Sequence, residues 1–175
     1  MQKLISIIFT CFIVLQTSGQ TKHTVSIYIQ FQNNLSVYDR TITNNASGIG
    51  AGIQIFLNTK TKLKPTLEIT GDVFGGTKEL YLTGDGKPIY GKDGVYNFFV
   101  GASYAFSKNF YTALSVGPSL LDKDPYFTVK PSAGFYFFKN QRCTAKISFI
   151  NIFQRDEISN QSFGYLSFSA GIKLF

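Results

Sequence analysis

The sequence predicts an all-β fold: an eight-stranded antiparallel up-and-down transmembrane β-barrel. Three observations predict it. Apolar residues alternate with small or polar ones in eight segments, and no helical period is found after residue 20. The connections between those segments are alternately short and long, as expected when they lie at opposite ends of an up-and-down barrel. The polar partners in the alternation are mostly Gly, Ser, Thr and Asn, which suit a crowded interior better than a watered surface.

The chain opens with a segment that is not part of the barrel. Met1-Gln2-Lys3 is a short basic start, residues 4–15 form an apolar core, and Thr17 and Gly19 are the small residues of a cleavage site. Residues 1–19 are therefore read as a secretory signal peptide cut between Gly19 and Gln20, and residues 20–175 as one barrel domain. A signal anchor is the alternative reading. Cys11 lies inside the apolar core, so after cleavage Cys143 is the remaining thiol and no internal disulfide framework is expected.

The strands follow in order. The first, 25–32, sets Val25, Ile27, Ile29 and Phe31 on one face. The second, 48–57, sets Ile49, Ala51, Ile53, Ile55 and Leu57 against Gly48, Gly50, Gly52 and Gln54. The third, 63–73, carries Leu63, Pro65, Leu67, Ile69 and Val73, and the fourth, 95–106, Tyr96, Phe98, Val100, Ala102, Tyr104 and Phe106. The fifth, 110–120, shows Phe110, Leu114, Val116, Pro118 and Leu120. The sixth, 126–138, shows Phe127, Val129, Ala133, Phe135 and Phe137, and the seventh, 142–153, Cys143, Ala145, Ile147, Phe149 and Phe153. The last, within 161–175, alternates Leu166, Phe168, Ala170, Ile172 and Leu174 with Ser167, Ser169, Gly171 and Lys173.

Short turns fall at 58–62, 107–109 and 139–141, and the other connections at 33–47, 74–94, 121–125 and 154–161. This asymmetry assigns the short turns to the periplasmic end and the longer loops to the extracellular end. Outward aromatics gather beside both ends: Tyr104, Phe106, Phe110, Phe135 and Phe137 near the turns, Tyr96, Phe98, Phe127 and Phe153 near the loops. Two girdles around an aliphatic band fit a bilayer, whereas a soluble barrel would use such rings to close its ends.

The whole chain carries +7, and the mature part carries 16 basic against 10 acidic residues. Lys60, Lys62, Lys64, Lys108, Lys139 and Arg142 sit at the short-turn end with no acid, while the long loops hold more acids than bases. The charge is thus a rim, not the aromatic-lined basic stripe that nucleic acid requires, and no nucleic-acid partner is expected. Chemistry is thin. His23, in the tail before the first strand, is the single histidine, so the strands and loops offer no Ser-His pair. Asp122 and Asp124 in 121–125 read as a turn more readily than as cation ligands, as do the Gly-rich stretches at 84–86 and 92–94. No enzyme activity, cofactor or metal is expected.

Inward-facing charges are few: Lys64, Glu68 and Asp72 on the third strand, Lys130 on the sixth, Arg142 and Lys146 on the seventh, Lys173 on the last. Counting up from the turns puts Glu68 level with Lys146 and Asp72 level with Lys130. A lumen ion-pair network of Glu68, Asp72, Lys130, Arg142 and Lys146 is therefore expected to plug the barrel. Contact with trapped water is the alternative for these groups.

This pattern resembles the small eight-stranded outer-membrane barrels of the OmpA/OmpX type, the porin-family barrel domain, over the whole mature chain. The final Phe175 resembles their C-terminal assembly signal, although it falls one residue out of phase with the lipid-facing series. No peptidoglycan-binding domain is expected after the last strand. The resemblance implies the outer membrane of a Gram-negative bacterium, with surrounding lipids and the barrel assembly machinery as partners, and a monomer. It transfers no functional residues. A non-enzymatic structural, adhesive or protective role in the loops is expected, with a narrow porin-like transporter as the alternative and a lipid-modifying barrel enzyme third.

Overall fold

The computed structural model describes residues 25–38, 46–75, 81–82, 88–89, 94–121, 124–138, 141–153 and 163–174. Eight long strands form the wall: β1 Val25–Ser36, β2 Ser47–Leu57, β3 Leu63–Phe74, β6 Gly94–Ala105, β7 Phe110–Leu121, β8 Asp124–Phe137, β9 Cys143–Phe153 and β10 Phe163–Lys173. Each pairs antiparallel with its neighbours in the order β1-β2-β3-β6-β7-β8-β9-β10, and β10 returns to β1 to close the barrel. The expected signal peptide, its cut between Gly19 and Gln20, His23 and Phe175 lie outside the described residues.

Closure runs from Ser36↔Tyr165 to Tyr28↔Lys173, and the Leu174 amide extends it by donating to the Ile27 carbonyl at 2.8 Å. Closing the sheet removes its edges, so backbone donors and acceptors are met within the wall. The shortest wall strands have 11 residues. At about 3.3 Å per residue and a tilt of about 45° they rise about 26 Å, close to the apolar band of an outer-membrane barrel. The alternation puts large apolar side chains outside. Phe31, Ile49, Val73, Tyr96 and Ile172 are all at least 60% exposed, while Gln30, Asn34, Asn97 and Ser167 are completely buried. The molecule is inverted relative to a soluble barrel.

Three details differ from the sequence expectation. The first strand continues four residues beyond 32, because Asn33 to Ser36 pair with β10 and, through Leu35, with β2. Two consecutive asparagines are poor strand formers, which hid the continuation. At the connection expected at 121–125, Leu121 and Asp124 are already paired across β7 and β8, and Asp122 lies outside the described residues. Inside the long 74–94 connection, β4 (Tyr81–Leu82) and β5 (Pro88–Ile89) form a small separate hairpin, and the Gly-rich stretch at 84–86 lies outside the described residues. Pro118 and Pro131 also leave marks. The β6–β7 register is interrupted between Asn97↔Ser119 and Val100↔Val116, and the β8–β9 register between Val129↔Asn151 and Ser132↔Ser148. A proline has no amide to donate, so at these two positions the pairing is lost on one side of the strand while it continues on the other, as Pro118↔Phe127 and Leu114↔Pro131.

The interior is closed at both ends by side chains. At the short-turn end Tyr28, Phe56, Tyr111 and Tyr136 pack together, with Tyr111 and Tyr136 stacked at 4.7 Å and Phe56 edge-on to Tyr28 and Tyr111. At the loop end Phe74, Val95, Leu121, Ile150, Ile152 and Phe163 form an apolar cluster reaching Phe99 and Tyr165. Gly134 makes room for the first lid, since a Cβ there would lie 2.2 Å from Tyr111 Cζ. Gly134→Val is therefore expected to lower stability by about 1–3 kcal/mol in denaturant titrations of the refolded barrel. Gly134→Val combined with Tyr111→Leu should recover part of that loss; equal losses would show that the glycine does not seat the ring.

Candidate functional site in the barrel interior

Between the two lids lies a polar layer centred on Glu68. The third-strand alternation turns Thr66, Glu68, Thr70 and Asp72 inward, each at most 3% exposed. Glu68 Oε1 accepts from Lys130 Nζ of β8 at 2.7 Å and from Lys146 Nζ of β9 at 2.8 Å. The Gln30 side-chain amide of β1 donates to the same oxygen. Lys146 also donates to Gln54 Oε1 at 3.0 Å, and Lys130 Nζ stands 5.0 Å from the centre of the Phe99 ring. One carboxylate thus gathers donors from three strands besides its own, β1, β8 and β9. Isolated buried charges are costly and hydrogen-bonded pairs tolerable, so the cluster holds only as a unit.

Asp72 occupies a second node nearer the loops. Its Oδ1 accepts from the Gln32 and Asn34 side-chain amides, the latter at 2.6 Å. Its Oδ2 accepts from Asn97 Nδ2 and from the Tyr165 hydroxyl, each at 2.9 Å. A relay continues around the wall: Ser119 donates to Asn97 Oδ1, and Thr128 donates to Ser119 Oγ at 2.7 Å. Gly50 leaves the space Asp72 fills, since a Cβ there would come within 2.0 Å of Oδ1.

The structure brings Glu68, Lys130 and Lys146 together and keeps Asp72 apart from them. The expected pairing of Asp72 with Lys130 is not made. Register explains this: Lys130 pairs with Ser115, Ser115 with Gly101, and Gly101 with Thr66, two residues from Glu68 and six from Asp72. Counting residues from the turns ignored the stagger that barrel closure imposes. Arg142 is not in the network; it is exposed at the turn before β9, where its carbonyl accepts from the Lys173 amide at 2.7 Å. The amides of Gln30, Gln32, Asn34, Gln54 and Asn97 were missed as members. Their signal was present, because on β1 they alternate with Ile29, Phe31 and Leu35.

Two acids and two ammonium groups share the buried layer, so its formal charge balances. Among the described residues no three His, Cys, Asp or Glu side chains gather to hold a metal. The arrangement can neutralise charge and fill the lumen.

No family model matches the sequence, and no curated protein matches it. Solved structures do. Neisserial surface protein A is 13% identical, aligned over 89% of this chain and 100% of its own, with a TM-score of 0.56. A de novo designed transmembrane β-barrel is 8% identical over 89% and 100%, with a TM-score of 0.52. Ail, the attachment invasion locus protein of Yersinia pestis, is 11% identical over 86% and 97%, with a TM-score of 0.51. The chain has the fold of the small eight-stranded outer-membrane barrels.

Removing Glu68 strands two ammonium groups at once. Glu68→Gln is expected to cost about 3–5 kcal/mol, read as a lower denaturation midpoint in vesicles. Glu68→Gln with Lys146→Met should be more stable than Glu68→Gln alone, and strictly additive losses would contradict the shared node. Asp72→Asn places a donor among four donors and should cost about 1–3 kcal/mol.

Proposed function

We propose that the chain is an integral outer-membrane barrel of a Gram-negative cell, exported by its residues 1–19 and anchored as a monomer. Its lumen passes no solute, and its structural, adhesive or protective role resides in the connections at the loop end. The observation that carries this reading is the inversion of the wall around a filled interior. Large apolar side chains cover the outside, the charges inside neutralise one another, and aromatic and aliphatic clusters shut both ends. A bilayer satisfies the first feature, and the other two fill the space through which a solute would pass.

The surrounding lipids and the assembly machinery that inserts such barrels are the partners this reading needs. Ail is named for attachment and invasion, and a surface-exposed loop role of that kind suits connections as long as 37–46 and 75–93. We propose no catalytic activity on lipid A or peptide bonds. A His23→Ala variant that abolished a measurable wild-type activity would overturn that part.

Purified protein in planar bilayers should give no steady conductance, together with heat-modifiable mobility after refolding. Steady single-channel steps would favour the transporter reading. On intact cells, added protease should cut within 74–94 and spare the turns at 58–62 and 107–109; the reverse pattern would invert the topology.

A further inference from the structure

The cations at the short-turn end have no work inside the barrel, because the buried acids already hold their own ammonium groups or amides. Lys60, Lys62, Lys108 and Arg142 are all exposed, and no Asp or Glu accompanies them at that end among the described residues. Their turns are held by internal hydrogen bonds. The Thr61 hydroxyl donates to the Leu63 carbonyl at 3.0 Å, and Ser107 Oγ accepts from the Phe110 amide at 3.0 Å. The cations therefore stand on fixed turns, close to the outward rings of Tyr104, Phe106, Phe110 and Phe137.

The third turn is held against backbone preference. Phe138 has a φ of 61° and Gln141 a φ of 56°, a region that residues with a Cβ seldom adopt. Gln141 is fastened on two sides: its Nε2 donates to the Lys108 carbonyl at 2.9 Å, and its own carbonyl accepts from the Tyr28 hydroxyl at 2.9 Å. Phe138, in the same turn, stands 80% exposed. A large apolar side chain and fixed cations at one level are what an interface of acyl chains and phosphates would engage.

We propose that this rim selects anionic phospholipids of the phosphatidylglycerol class from the leaflet around the short-turn end. Lys60, Lys62, Lys108 and Arg142 bind the headgroup phosphates, and Phe138 enters the layer just beneath them. The proposal rests on the membrane reading and adds to it a lipid preference with named residues.

The test uses the full mature barrel in nanodiscs of phosphatidylcholine with a minority of phosphatidylglycerol. Lipids retained on the released protein are counted by native mass spectrometry. Wild-type protein should retain phosphatidylglycerol several-fold above its share of the bilayer, less so as ionic strength rises. Lys60→Gln, Lys62→Gln, Lys108→Gln and Arg142→Gln together should bring retention down to that share. Arginine at 60, 62 and 108 should keep the excess, and heat-modifiable mobility shows that each variant is folded. Wild-type retention at the bilayer share, or an undiminished excess in the glutamine variant, would overturn the proposal while leaving the barrel a membrane protein. A wild-type chain that entered no bilayer would overturn the membrane reading, and this proposal with it.

Discussion

Eight strands closing on themselves leave an interior wide enough for side chains and little else. Once the wall closes through Tyr28↔Lys173 and Leu35↔Leu166, every inward residue must fit the space left by its neighbours across the lumen. Gly50 is small because Asp72 lies against it, and Gly134 because Tyr111 does. Polar residues can line this space only if their hydrogen bonds are met within it, since bulk water is excluded. The Glu68 and Asp72 nodes answer much of that demand, each collecting donors from several strands, while Gln30 Oε1, Asn34 Oδ1 and Ser167 Oγ are buried without a hydrogen-bond partner among the described residues.

The same closure decides what the outside must be. With most polar groups turned inward, the outer face is mainly apolar, and Phe31, Ile69, Val100 and Ile172 stand open there. In water such a surface would drive aggregation; in lipid it is the solvent-matched face. The aromatic pairs at its margins, Tyr104 with Phe106, Phe110 with Phe135 and Phe127 with Phe153, sit where a bilayer's hydrocarbon would give way to headgroups.

Much of this was legible in the sequence because a period of two is local information. Which face each strand residue occupies, the strand count, the short-turn end and the Glu68–Lys146 level all follow from alternation and from distance to a turn. Lys130 was misassigned to Asp72 because its level depends on stagger accumulated over β8, β7, β6 and β3, and no single strand carries that quantity. The amide collar was hidden for a different reason. Asn33 and Asn34 look like the start of a loop, and only pairing on both sides with β2 and β10 shows that they are wall. Arg142 fell from the interior because the turn before β9 ends at it, which puts its side chain on the rim.

The central claim is that the apolar face is the lipid face. The chain has no tryptophan, so one introduced at Val100 is an unambiguous reporter. Val100 lies outward in the middle of β6, paired with Leu67 and Val116 and 56% exposed. In vesicles of lipids brominated along their chains, the fluorescence of Val100→Trp should be strongly quenched, with little effect from aqueous iodide. Quenching by iodide without quenching by bromolipid would place that face in water and contradict the account.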